Sequence, residues 1–173
     1  MNSDITDPKY FSLKKVKQLG KEVEKDPRLV KEIVKLATGN DPILAMRSTW
    51  ALQHISFDHP ELIRPHIGTL IKALKKEDQH TGALRNTIRI FHEIDIPEKY
   101  TGEIFDLCIK FTKNATLPHA VRAFSITTLG IICKKYPELK PEVELILSEL
   151  RSYPQPASIT ACIRNVTKTL SKL

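Results

Sequence analysis

Residues 41–75 read DPILAMRSTWALQHISFDHPELIRPHIGTLIKALK, and the fold follows from how this stretch is punctuated. Asp41-Pro42 opens it with a capping carboxylate before a proline. Proline is tolerated at the first helical position, where no N–H donor is needed. His59-Pro60 breaks the run and starts a second helix by the same logic. Leu62, Ile63, Ile67, Leu70, Ile71 and Leu74 follow the i, i+3, i+4 rule of a helix with one apolar face. The stretch is therefore a pair of helices joined by a proline turn.

Moving outward, the punctuation repeats. Asp26-Pro27, His59-Pro60, Ile96-Pro97 and Tyr136-Pro137 fall between paired helices, while Pro42, Pro118 and Pro156 open the first helix of a pair, with His80 in the skipped slot. Asp7-Pro8 and Asp26-Pro27 repeat the Asp41-Pro42 cap. The apolar positions keep the same step of about 38 residues. Val16, Ile55, Ile94, Ile132 and Leu170 form one column; Ile33, Leu70, Leu107 and Ile146 a second; Ala37, Leu74, Phe111 and Leu150 a third. Ile104, Leu107, Cys108 and Phe111 repeat the helical period, as do Leu139, Val143, Ile146, Leu147 and Leu150. No alternating strand pattern occurs.

The expected fold is all-α: a right-handed α-α superhelix of about four and a half helix pairs, nine helices in one domain over residues 1–173, with residues 1–6 frayed. First helices are expected near 8–24, 42–57, 80–94, 118–136 and 156–172. Second helices are expected near 27–38, 60–76, 97–114 and 137–152.

Two segments carry a family resemblance. Asp41–Ile55 and Leu117–Ile131, the latter with Val121-Arg122 and Leu129-Gly130, resemble the first helix of a HEAT repeat. Pro60-Glu61-Leu62-Ile63 and Pro137-Glu138-Leu139 resemble the start of its second helix. The resemblance implies a protein-interaction scaffold whose second helices line a concave face. It also implies an Asp–Arg ladder, for which Asp58 and Arg64 are candidates in one repeat, whereas Thr101 stands where a later Arg would fall.

Composition bounds the function. With 27 basic and 20 acidic residues the net charge is +7, concentrated in residues 1–40 and 121–173. Such a balance favours an acidic partner. The polar sides of the second helices offer Lys31 and Lys35, then Arg64, Lys72 and Lys75, then Lys110 and Lys113, and finally Glu142 and Glu149. These cations are the candidate partner-binding residues. Four second helices at roughly 8–10 Å spacing would present a groove on the order of 30 Å across. Lys14, Lys17, Lys21 and Lys25 share one side of the first helix, which suits either a solvated terminal repeat or contact with phosphate. The last helix would bury Ile159, Ile163, Val166 and Leu170, and any uncovered part could join two copies weakly.

No catalytic motif is present. His54, His59 and His66 are spaced by five and seven, not at the i, i+4 spacing of a metal-binding helix. No phosphate-cradling glycine loop or nucleophile elbow occurs among the six glycines. Cys108, Cys133 and Cys162 read as reduced core thiols, which suits a cytoplasmic protein. No apolar run approaches the roughly 20 residues of a membrane span, and the N-terminus lacks the pattern of a secretory signal. The sequence thus points to a non-enzymatic scaffold, without cofactor or metal, binding a protein or peptide. Nucleic acid is the alternative partner. Some DNA glycosylases share HEAT-like repeats, but Trp50 beside Arg47 lacks the paired Asp on a second helix that their chemistry would require.

Overall fold

In the structure, a computed structural model, residues 12–173 are described. Asp7-Pro8 and the frayed tip expected at residues 1–6 lie outside them. The described residues are helical throughout, with no strand. The chain divides into two compact units, one ending at Pro97 and the other beginning at Glu98.

The first unit contains α1 (Leu13–Lys25), α2 (Arg28–Ala37), α3 (Pro42–Asp58), α4 (Pro60–Ile63), a 3-10 turn (Arg64–His66), α5 (Ile67–Leu74) and α6 (Thr81–Ile90). The second contains α7 (Glu98–Lys113), α8 (His119–Lys135), a 3-10 turn (Pro137–Leu139), α9 (Lys140–Arg151) and α10 (Ala157–Leu170). With α4 and α5 taken as one interrupted helix, the described residues form the nine helical segments that the repeat requires. Within each unit, helices pack on those next or next but one in the chain: α3 against α2 and α6, α8 against α7 and α10. That is the packing of stacked hairpins.

The helix starts are fixed by side chains as well as by proline. Asp41 Oδ1 accepts the N–H groups of Ile43 and Leu44, both at 2.9 Å. Asp26 Oδ1 accepts the Arg28 N–H at 3.2 Å and also receives the Arg28 guanidinium at 2.8 Å. That guanidinium draws the exposed carboxyl below its usual range. Where the series lacks a proline, His80 caps α6 instead, its Nδ1 accepting the Gly82 N–H at 3.0 Å.

Three segments differ from the sequence expectation. The helix expected over 60–76 is interrupted because Pro65 falls in its interior. A proline there removes a hydrogen bond and crowds the preceding turn, so residues 64–66 tighten to 3-10 geometry. Pro141 acts similarly: residues 137–139 form a separate turn and α9 starts at Lys140. The helix expected to reach residue 94 stops at Ile90. Phe91, His92 and Glu93 then donate to carbonyls three residues back, and this turn brings Ile94 and Ile96 into the interior.

All thirteen residues of the three apolar columns are buried. Each large aliphatic side chain so placed contributes about 1.5–3 kcal/mol. The first helices α3 and α8 are covered on most sides, and they accommodate this with small and hydroxylated residues. Ser48, Thr49, Ser56, Ser125 and Thr128 are all buried. Thr49 and Ser125 return their hydroxyls to carbonyls four residues earlier at 2.8 and 2.9 Å. Asn86 of α6 is also buried and donates across to the Met46 carbonyl of α3 at 3.1 Å. Most of these polar groups are therefore satisfied locally or by the next helix, while the buried Ser48 Oγ has no hydrogen-bond partner among the described residues.

Close approach explains Leu129-Gly130. A Cβ on Gly130 would lie 2.9 Å from Val166 Cγ1 and 3.1 Å from its Cγ2 on α10. Valine is stiff at χ1 in a helix, so it cannot swing aside. Gly130→Ala is expected to cost about 1–3 kcal/mol despite the better helix propensity of alanine. A lower midpoint in urea for the variant checks this.

The thiols are core groups. Burial pushes Cys108 up to about 12. Burial, with Glu144, Glu138 and Glu142 nearby, pushes Cys133 to about 11. Cys162 is partly exposed. Alkylation of the native chain at pH 8 is expected to label Cys162 alone, and all three after denaturation. Mass spectrometry of the labelled chain counts them.

Candidate interaction surfaces

The candidate cations Lys31, Lys35, Arg64, Lys72, Lys75, Lys110 and Lys113 all lie on second helices or their turns, and all are exposed. They do not form a uniform row of available charges. In the first unit, Lys31 and Lys35 stand one turn apart on α2, opposite its buried face of Val30, Ile33, Val34 and Ala37. Lys31 is near enough to the Arg64–His66 turn to affect His66. Arg64 faces Asp95 rather than the expected Asp58, with Nη2 and Oδ2 at 3.4 Å. The ladder contact thus joins a second helix to the turn of the following pair.

Lys76 lies just beyond the candidate set and has a structural role. Its Nζ donates to the Thr38 carbonyl at 2.7 Å and to Asn40 Oδ1 at 3.4 Å. A cation there complements the C-terminal end of the α2 dipole. Lys72 is exposed on the outer side of α5.

In the second unit, Lys113 of α7 pairs with Glu149 of α9 at 3.1 Å, and Lys140 approaches Glu144 at 3.9 Å. Lys110 and Glu142 are exposed. Leu145 is 70% exposed on the outer side of α9. The apolar stripe of α10, Ile159, Ile163, Val166 and Leu170, is buried within this unit. What α10 exposes is mostly polar, including Ser158, Thr160, Arg164 and Lys168.

The histidines separate. His59 sits 3.6 Å from Glu61, and His54 lies between the rings of Trp50 and Phe57. Among the described residues no three His, Cys, Asp or Glu side chains converge to hold a metal ion. No described helix is long and apolar enough to cross a membrane.

His54 and His66 are both held below their usual value of 6.5. Burial is the first cause for each; Lys17 and Arg89 add to it at His54, and Lys31 at His66. A lowered folded-state value means the unfolded chain binds the proton more readily. The stability concerned is complete above about 6.5 and is lost as pH falls through the lower folded-state values. Urea midpoints measured from pH 8 to pH 5 are expected to decline at the acid end. The decline should be shallower in His54→Gln/His66→Gln.

One arrangement is not among the sequence expectations. Trp50, His54 and Phe57 stand at i, i+4 and i+7 on α3, so they form a single row. Their spacing is the available signal; taken singly, Trp50 reads as lacking the partner a glycosylase needs and His54 as a failed metal ligand.

The comparison with curated proteins gives no match, and neither does the comparison with solved structures. A family model described as HEAT repeat domain matches residues 8–170, nearly the whole chain. With the stacked helix pairs, their proline-marked turns and the buried columns in register, the chain belongs to the HEAT-repeat family.

Proposed function

We propose that the chain is a non-enzymatic scaffold that binds an acidic protein or peptide segment through the outer sides of its second helices. The observation that carries this reading is the division of labour on α2 and α5. Their apolar sides are spent wholly in the core, while Lys31, Lys35 and Lys72 stand exposed on successive second helices. Exposed like charges add nothing to the fold and raise the encounter rate with an acidic partner. Membership of a family of helical repeat scaffolds supports the same reading. The two buried thiols and the partly exposed Cys162 fit a reducing compartment such as the cytoplasm.

The test is affinity capture from host extract with and without nuclease, using the parent chain and Lys31→Gln/Lys72→Gln, with Lys110→Gln as a separate arm for the second unit. A protein partner retained after nuclease and lost with the double substitution is the expected result. Retention of every partner by both variants would overturn the assignment of this face.

A further inference from the structure

The row of Trp50, His54 and Phe57 lies on a first helix, away from the residues just proposed. It spans two turns of α3, about 10 Å. The Trp50 and His54 rings meet edge to face at 5.2 Å, and the His54 and Phe57 rings lie 6.0 Å apart at 58°. Phe57 is 43% exposed, and Trp50 and His54 are half-buried. The Arg89 guanidinium of α6 stands 5.8 Å over the Phe57 ring. On the other flank α1 brings Lys17 and Lys21, both exposed. With His54 and Phe57 they line a cleft of about 540 Å³. Glu24 and Asp58 line it as well, so the cleft carries both signs of charge.

Cations therefore approach the aromatic row from both sides. The lowering of the His54 value reports the same field: burial is its first cause, then Lys17, then Arg89, and Asp58 opposes them. Aromatic faces flanked by cations suit a ligand that alternates flat apolar rings with negative charge. An unpaired polynucleotide has that chemistry, because each base offers a π-face and each linkage a phosphate. In a duplex the base faces are stacked on one another and cannot reach the rings. A chain of carboxylates would satisfy the lysines but leave the rings wet.

We propose that this face of the first unit binds single-stranded nucleic acid, with bases stacking on Trp50 and Phe57 and phosphates held by Lys17, Lys21 and Arg89. Trp50 is the only tryptophan of the chain, so a base stacked on it reports itself by quenching. The experiment titrates the full chain with a ten-residue oligothymidylate while following tryptophan fluorescence, at several salt concentrations. Parallel titrations use the same sequence as a duplex and a ten-residue oligoglutamate.

The expected result is quenching by the single strand, with binding weakened about tenfold in Phe57→Ala. Lys17→Gln/Lys21→Gln should flatten the dependence of log K on log salt by about 1.4, roughly 0.7 for each phosphate that is no longer neutralised. Lys134→Gln/Lys172→Gln removes the same charge from exposed positions of the other unit and should leave the affinity unchanged. Circular dichroism melts confirm that the variants compared are folded. The proposal is overturned if the single strand does not bind. It also fails if the oligoglutamate quenches as strongly and loses as much with Phe57→Ala, which would make the face an acidic-peptide site.

Discussion

Leu107→Asp is expected to destabilise the chain by about 4 kcal/mol or more, enough to remove most of its stability at 25 °C. Leu107 lies on α7 among Ile104, Cys108 and Phe111, all buried. An aspartate there would either carry an unpaired charge into an apolar setting or take up a proton to avoid it, and both are costly. Leu145→Asp is the matched control. It is also a leucine on a second helix of the same unit, but its side chain is 70% exposed on α9. Its removal gives up almost no buried area, so a change within about 0.5 kcal/mol is expected. Urea unfolding followed by circular dichroism compares the pair. Equal midpoints would mean that the faces of α7 and α9 are wrongly assigned.

Arg122→Ala is expected to cost about 2–4 kcal/mol, although it removes a charged residue from a chain already rich in cations. Arg122 is only 5% exposed on α8. Its Nε donates to the Thr112 carbonyl at 3.1 Å, and its Nη2 donates to Gln155 Oε1 at 3.2 Å. Thr112 lies in the last turn of α7, where carbonyls have no partner within the helix and a cation meets the negative end of the dipole. Gln155 in turn donates to the Leu150 carbonyl at 3.0 Å, near the end of α9. One guanidinium thus ties together the ends of two second helices. Arg122→Lys keeps the charge but cannot hold both acceptors in a planar fork, so it is expected to recover only part of the loss. Thermal melts of the three proteins order them; full recovery by lysine would show that charge alone matters there.

Much of this fold could be read from residue spacing, for a physical reason. Proline acts locally by removing a donor and blocking one backbone conformation, so Pro42, Pro60, Pro97, Pro118 and Pro156 mark boundaries wherever they fall. The two buried columns on second helices were legible because those helices have one wet side and one dry side. The failures share a cause too. Pro65 is hidden inside an otherwise periodic run. The end of α6 depends on Ile94 and Ile96 being drawn inward, and that is a tertiary effect. Pairing partners were the least legible. Arg64 meets Asp95 rather than Asp58, and Lys113 meets Glu149, because each pairing depends on how successive hairpins are offset. The aromatic row on α3 has a helical spacing in the sequence itself, but its flanking cations come from α1 and α6, which only folding brings alongside.

The tight seam between Gly130 and Val166 restricts how this kind of protein can be modified. Where a stiff side chain lies that near a neighbouring backbone, one added methyl group acts as a wedge, and a wedge in a stack tilts whatever lies beyond it. The outer sides of α2, α5 and α9 impose no such penalty. An engineer who wished to redirect the chain to another ligand could rewrite those sides freely, provided the seam stayed untouched.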